Sequence, residues 1–215
     1  ICNGICSLNA HTDKLTFSAF MEFDGEGKML GYRFEKTVIN SKVRGVYSEV
    51  NAILDGSASP ETAEKYACVR TVLDDALELY RILDRASSRR GTVHFSSKES
   101  QFVLDENGVC VGLKERESGT AERIIEQFMI AANVAAARLA ARAGIPFVYR
   151  VHESPDPEAL ERAAMLLRIV GVTSNDICGS PSPADIDRVQ ARVKGKPYEQ
   201  IVSNVLLRSM AKATA

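Results

Sequence analysis

Apolar and polar residues alternate from Leu15 to Phe23, and this period of two predicts a half-buried β-strand. The polar segment DGEG follows at residues 24–27 and is typical of a tight turn. A second run, with apolar residues at Leu30, Tyr32 and Phe34, returns from that turn. The two runs therefore predict an antiparallel hairpin.

Helical spacing dominates much of the remaining chain. Apolar residues recur every three or four positions in five intervals, which predicts helices at residues 60–86, 121–142, 157–170, 183–193 and 198–210. Short apolar runs predict strands at residues 92–95, 101–104, 109–113 and 147–152. We predict an α+β fold in which small antiparallel sheets pack with several α-helices.

The predicted helix at residues 121–142 carries Glu126 and Asn133, which lie seven residues apart and therefore share one face. The rest of this helix is rich in alanine and larger apolar residues, as expected of a core helix, so we predict that Glu126 and Asn133 are buried. A buried, unpaired carboxylate costs on the order of several kcal/mol. We therefore expect Glu126 to meet a hydrogen-bond donor, a cation such as Arg123, or a ligand. We also expect this helix to be the central packing element.

Composition sets limits on the surface. The chain has 215 residues, 45% hydrophobic and 26% charged, so it is long enough to bury a core, and one domain is the simplest interpretation. Its formal net charge is -1. A surface that holds nucleic acid by phosphate neutralisation alone needs clustered Lys and Arg, so any such binding here must be local.

Cysteine usage and the absence of clustered ligands exclude several classes of site. The five cysteines, at positions 2, 6, 68, 110 and 178, lack metal-ligand spacing and are expected to be reduced thiols. We recognise no secretory segment and no apolar run of transmembrane length, so we predict a cytoplasmic protein without a membrane partner. His11, His94 and His152 are widely separated, and Asp74 and Asp75 diverge on a helix. We assign no metal ligand and no catalytic residue within this chain.

Six segments carry a resemblance to a known family. In chain order they are ICNGICSLN with DKLTFS, VINSKVRGVYSEVNAIL, RRGTVHFSSKESQFVLDENG, IIEQFMIAANVAAAR, YRVHESPDPEALE and LLRSMAKA. Together they resemble the catalytic domain, the RNB domain, of the ribonuclease II and ribonuclease R family. The likeness spans nearly the whole chain and implies an RNB-domain-like partial core.

The resemblance implies part of a hydrolytic, magnesium-dependent (Mg2+) 3′→5′ exoribonuclease that degrades single-stranded RNA to nucleoside 5′-monophosphates. It also implies three RNA-binding residues: Tyr47 and Phe95, which would contact bases near the RNA 3′ end, and Glu126 beside the terminal ribose. Without the resemblance, Tyr47 could simply cap a short helix and Phe95 could be a core residue. Arginines 89, 90 and 116 are candidates for phosphate contacts, with solvated surface arginine as the alternative.

Residues 1–215 are expected to form the central portion of that catalytic domain. The family's aspartate-rich, metal-binding segment would lie before Ile1, and its downstream basic segment would lie after Ala215. The isolated chain is therefore expected to bind no magnesium and to be inactive, and no obligate protein partner is expected. Two alternatives remain: a non-catalytic RNA-binding or assembly module, and a chain that self-associates through exposed core surface.

Overall fold

A computed structural model describes residues 4–92, 99–116, 118–152, 155–172, 177, 181–211 and 213–214. The chain divides into two compact units. Unit 1 comprises Ile1–Ala86 and Glu117–Ile145, and unit 2 comprises Ser87–Arg116 and Pro146–Ala215. Helices and small antiparallel sheets occur together, so the α+β prediction is confirmed. The assignment of residues 1–215 to a portion of one catalytic domain stays a prediction.

The predicted hairpin forms in unit 1. Strand β1 (Asp13–Phe23) pairs antiparallel with β2 (Met29–Asn40), and Leu15 lies opposite Val38. The Asp24 carboxylate fixes the turn, because it accepts the backbone N–H groups of Glu26 at 3.0 Å and of Lys28 at 2.9 Å.

Four helices belong wholly or mainly to unit 1: α1 (Tyr47–Asp55), α2 (Pro60–Tyr66), α3 (Arg70–Arg89) and α4 (Thr120–Ala143). The prediction of one helix over residues 60–86 is wrong, because a 3₁₀ turn at Ala67–Val69 separates α2 from α3. Tertiary hydrogen bonds hold both sides of this break. The Tyr66 hydroxyl accepts the backbone N–H of Val46 at 3.0 Å, and the Arg70 guanidinium donates to the Ile53 carbonyl at 2.9 Å.

Unit 2 contains the short strands β3 (Glu99–Leu104), β4 (Cys110–Arg116), β5 (Val151–His152) and β6 (Ala213–Thr214), and the helices α5 (Pro157–Ile169), α6 (Pro183–Val193) and α7 (Glu199–Ser209). The strands pair antiparallel as β3–β4 and β5–β6. The strand predicted over residues 147–152 is found only at Val151–His152, where it pairs with β6. The strand predicted at residues 92–95 falls almost entirely outside the described residues.

The buried apolar cluster of the described residues lies in unit 2, where one stripe from each of α5, α6 and α7 meets the others. Leu167, Val189 and Leu206 are almost fully buried there. The expectation that the helix at residues 121–142 is the central packing element is therefore wrong for this cluster. That helix, α4, packs on α1 and β1 in unit 1 instead.

The prediction that α4 buries Glu126 and Asn133 is also wrong, since both residues are exposed. Ile124 and Ala135 lie on the buried face. Glu126 follows Ile124 by two residues, which places it about 200° away around the helix, on the solvent side. The alanine-rich sequence leaves both faces apolar, so the pattern did not distinguish them.

Length and composition make α4, with 24 residues, apolar enough to cross a membrane. The expectation that the chain has no apolar run of transmembrane length is therefore wrong. The many alanines of α4 raise its mean hydropathy, because alanine counts as apolar although its side chain is small. The absence of a membrane partner stays a prediction.

A small polar network anchors α1 to α2. The Lys65 ammonium and the Tyr66 hydroxyl each donate to Glu49 Oε2 at 2.6 Å, and the Tyr66 ring is buried. The lysine hydrogen bond, followed by that of the tyrosine, holds the pKa of Glu49 below its usual value of 4.5. Burial, followed by the Glu49 carboxylate, raises the pKa of Tyr66. The network favours ionised Glu49 in the folded chain.

We predict that Glu49→Gln lowers the melting temperature at neutral pH. Because the folded-state pKa is depressed, the stabilisation is present above 4.5 and is lost as the pH falls through the lower folded value. The difference from wild type should therefore shrink in acid. Thermal melts followed by circular dichroism across this range test it. Asp75→Asn, at an exposed carboxylate of α3, is the control, and an unchanging difference across the acid range would contradict the prediction.

We also predict unequal effects at two adjacent leucines of α7. Leu206 is fully buried, so Leu206→Ala should destabilise unit 2 by about 2–5 kcal/mol. Leu207 is 51% exposed, and Leu207→Ala should cost less than about 1 kcal/mol. Urea titration of both variants measures the difference, and equal costs would show that the α5–α7 cluster is not the packed core.

Candidate functional site

An open groove of about 740 Å³ lies in unit 1 beside the start of α1. The region before β1, the segment that leads into α1, the first residue of α1 and one residue of α2 form its walls. The lining residues are Ala10, His11, Lys42, Val43, Arg44, Gly45, Val46, Tyr47 and Lys65. The backbone N–H of His11 donates to the Ser41 carbonyl at 2.7 Å, which ties the region before β1 to the segment that leads into α1. Predicted site residue Tyr47 is therefore part of a concave surface.

The Tyr47 side chain is 43% exposed at the first position of α1. Tyr47 is not the N-cap residue of this short helix, because that position is occupied by Val46. The Val46 N–H is bonded to the buried Tyr66 hydroxyl, which fixes the backbone immediately before Tyr47. The partly exposed ring thus follows a backbone position that is held by a tertiary hydrogen bond.

Three cationic side chains line the same groove as this ring. Lys65 is paired with Glu49 at 2.6 Å, and Lys42 donates to the Asn40 side chain at 3.4 Å. Arg44 has no hydrogen bond or ion pair within the described part of the chain. Its guanidinium is therefore available to an anion. Proteins bind single-stranded nucleic acids with positive charge for the phosphates and aromatic side chains that stack on the bases.

Glu126, the second predicted site residue, lies on the solvent face of α4 between exposed apolar neighbours. Met129 is 60% exposed, and Ile125 and Ile130 are also exposed. Among the described residues nothing donates to the Glu126 carboxylate, and the alternative pairing with Arg123 does not form. An exposed carboxylate with open acceptor positions can accept hydrogen bonds from a ligand hydroxyl.

The helices that carry these two residues are joined directly. The Asn51 side chain of α1 accepts the Ala121 N–H of α4 at 2.8 Å and donates to Glu122 Oε2 at 2.9 Å. Gly119, the N-cap residue of α4, provides no side-chain cap of its own. The structure thus connects the Tyr47 helix to the Glu126 helix within unit 1.

Phe95, the third predicted site residue, lies outside the described residues, and so does the side chain of Arg116. Arg89 and Arg90 are exposed in unit 2 and do not line the groove. The groove cations that sequence reasoning missed are Lys42, Arg44 and Lys65. The sequence contains a local signal for Lys42 and Arg44, because the segment SKVRGVY places both within five residues of Tyr47.

Carboxylates do not converge in the part of the chain that the structure describes. Within those ranges no group of three His, Cys, Asp or Glu side chains could hold a metal ion. The described residues therefore do not fit a magnesium ion, which prefers several oxygen ligands. The site can bind and orient a ligand through stacking, charge and hydrogen bonding.

Comparison with known proteins shows the family to which the chain is similar. Residues 1–215 match the RNB domain family. A ribonuclease R of Thermotoga maritima is 37% identical over 214 residues, covering 99% of this chain and 30% of that protein. Mycoplasma genitalium RNase R in complex with ribose methylated single-stranded RNA is 26% identical, with a TM-score of 0.88 over 98% of this chain and 32% of that one.

A more distant likeness shows the fold alone. Yeast Ssd1, a pseudonuclease, is 13% identical with a TM-score of 0.65. The match covers 96% of this chain and 24% of Ssd1. The chain spans about 30% of the ribonuclease R that it matches. Since the family match extends over every residue and ribonuclease R relatives exceed 30% identity over 99% of the chain, the chain belongs to the RNB domain family.

Proposed function

We propose that this chain is part of a hydrolytic 3′→5′ exoribonuclease that degrades single-stranded RNA to nucleoside 5′-monophosphates. Its contribution is to hold the 3′ end of the RNA in position for cleavage. Positioning of this kind accelerates a reaction by lowering the entropy cost of bringing the reacting groups together. The observation that carries the proposal is the exposed Tyr47 ring in a groove with three cations.

Each part of the groove matches one feature of a single strand. The Tyr47 face is available to stack on a base, an interaction worth about 1–3 kcal/mol and tolerant of sequence. Arg44 and Lys42 supply charge for adjacent phosphates. With a net charge of -1 on the whole chain, this local cluster is what makes phosphate binding favourable.

Glu126 is assigned to the terminal ribose. A carboxylate accepts a hydrogen bond from the 2′-hydroxyl, which DNA lacks, so this residue would favour RNA over DNA. Its exposed apolar neighbours on α4 would pack against the sugar and base. Phe95 is proposed as a second stacking residue on the basis of the resemblance.

Magnesium is proposed as the cofactor of the longer enzyme. Because the described carboxylates do not form a site for it, no step is assigned to the ion in this chain and no magnesium is expected to bind here. The described cysteines, Cys6, Cys68 and Cys110, are free and exposed, which supports a reducing compartment such as the cytoplasm. No membrane and no obligate protein partner is proposed.

A second candidate is a non-catalytic RNA-binding or assembly module. It is favoured by the missing carboxylate cluster among the described residues and by the shared fold of a pseudonuclease. The gene sequence that precedes Ile1 separates the two candidates. An aspartate-rich segment there supports the nuclease, and its absence supports the binding module.

We predict that Tyr47→Ala weakens binding of a fluorescent oligouridylate by about 5- to 150-fold, the equivalent of one lost stack. Tyr47→Phe should bind nearly as well, because the ring face is kept. Fluorescence anisotropy measures both, with light scattering to verify that the chain is monomeric. Tyr149→Ala in unit 2 is the control. Equal losses of affinity in Tyr47→Ala and Tyr149→Ala would contradict the proposal that the groove binds the RNA.

Arg44→Ala is predicted to reduce the slope of log affinity against log salt concentration by about 0.7, the value for one phosphate contact with a single strand. The measurement is anisotropy at several salt concentrations. Arg85→Ala removes the same charge from an exposed position on α3 outside the groove and should leave the slope unchanged. If the slope of log affinity against log salt concentration is the same for both variants, Arg44 does not contact a phosphate.

The isolated 215-residue chain is predicted to bind an oligoribonucleotide without cleaving it in the presence of magnesium. Denaturing gels and chromatography of the products test this. Residual cleavage that persists in Tyr47→Ala would come from a contaminating nuclease. Processive release of 5′-mononucleotides that is lost in Tyr47→Ala would show that the chain is itself catalytic.

A further inference from the structure

Asn51 makes two hydrogen bonds to the first turn of α4, seventy and seventy-one residues away in the chain. Its amide oxygen accepts the Ala121 N–H at 2.8 Å, and its amide nitrogen donates to Glu122 Oε2 at 2.9 Å. One side chain therefore uses both its donor and its acceptor on a single helix end. This geometry fixes the orientation of the amide as well as its distance.

The local backbone is adapted to this contact. Gly119 precedes α4 directly, and a Cβ atom added there would lie 2.2 Å from Asn51 Nδ2. The first turn of a helix leaves unpaired N–H groups that a side chain normally caps. Here the cap comes from α1, so the start of α4 cannot shift relative to α1 without losing it.

Helical geometry connects this contact to the proposed site. Tyr47 and Asn51 are four residues apart on α1 and lie on one face. Glu122 and Glu126 are four residues apart on α4 and also share a face. Tyr47 and Glu126 thus each lie about one helical turn, a rise of about 6 Å along the helix axis, from one partner of the Asn51–Glu122 hydrogen bond.

We propose that Asn51 is a positioning residue that sets the spacing between the base-stacking ring of Tyr47 and the ribose-reading carboxylate of Glu126. The proposal rests on the proposed function, since it assigns those two roles. Its specific consequence concerns discrimination. RNA is preferred over DNA only if the 2′-hydroxyl of a base stacked on Tyr47 falls within reach of Glu126.

The test compares the affinities of a labelled oligouridylate and an oligodeoxyuridylate of the same length, measured by anisotropy for the full chain. Glu126→Gln should reduce the ratio of RNA to DNA affinity roughly tenfold or more, because a charge-assisted hydrogen bond is weakened. Asn51→Leu should reduce the ratio to a similar value. The double variant should have the same ratio of RNA to DNA affinity as either single variant, since both substitutions remove the same interaction.

Outcomes separate this proposal from the proposed function. If Glu126→Gln leaves the ratio unchanged, the ribose role of Glu126 is wrong. If Glu126→Gln lowers the ratio and Asn51→Leu weakens RNA and DNA equally, or adds fully to Glu126→Gln, then Asn51 has a merely structural role and the inference is overturned. Asn204→Leu in α7 of unit 2 is the matched control and should not change the ratio.

A reversal of donor and acceptor provides the rescue. Asn51→Asp keeps the acceptor for the Ala121 N–H but places a carboxylate beside Glu122, so the RNA preference should fall. Adding Glu122→Gln supplies an amide donor to that new carboxylate and keeps the net charge of the wild type. Recovery of the RNA-to-DNA ratio supports the positioning role, and a ratio that stays low while the melting temperature recovers contradicts it.

Discussion

The geometry of the site depends on how the short helix α1 is held. With nine residues, α1 is shorter than the length at which an isolated helix becomes stable in water, about 12–15 residues. Tertiary hydrogen bonds therefore stabilise it at two points. The Tyr66 hydroxyl binds the Val46 N–H before its first residue, and Asn51 binds the first turn of α4. Together these contacts hold the helix that carries Tyr47.

Local patterns predicted most elements of the fold. The alternation that begins at Leu15 corresponds to β1. The helices predicted to begin at residues 60 and 157 do begin there, and the side chains of their N-cap residues, Ser59 and Asp156, accept backbone N–H groups of the first turn. These features depend on residues within a few positions of one another. Longer-range features were not accessible in the same way. The Asn51–Glu122 hydrogen bond joins residues seventy-one positions apart, and neither residue shows a local signal for it.

The error at Glu126 has a different physical origin. Periodicity identifies a polar face only when the opposite face is clearly apolar, and α4 is apolar on nearly all sides. A carboxylate on such a helix was interpreted as buried, whereas it lies on the exposed side among Met129 and two isoleucines. The residue remains a candidate for ligand binding for the opposite reason: its carboxylate is open to solvent, and no described residue donates to it.

The groove also shows how a chain with a net charge of -1 can bind an anionic polymer. Lys42, Arg44 and Lys65 are gathered at one place by the segment before α1 and by α2, and of the three only Lys65 pairs with a carboxylate among the described residues, that of Glu49. Only part of this cluster could be predicted, because Lys65 reaches the groove through the fold. Affinity from so few charges is modest, so stacking on Tyr47 must contribute much of it.

Photochemical cross-linking tests the central claim most directly. An oligoribonucleotide with 5-iodouridine at its 3′ end would be irradiated with the 215-residue chain, and the modified peptide identified by mass spectrometry. The account predicts a cross-link at Tyr47. Cross-links at Tyr149 or Phe102 of unit 2, with none at Tyr47 or Phe95, would contradict it.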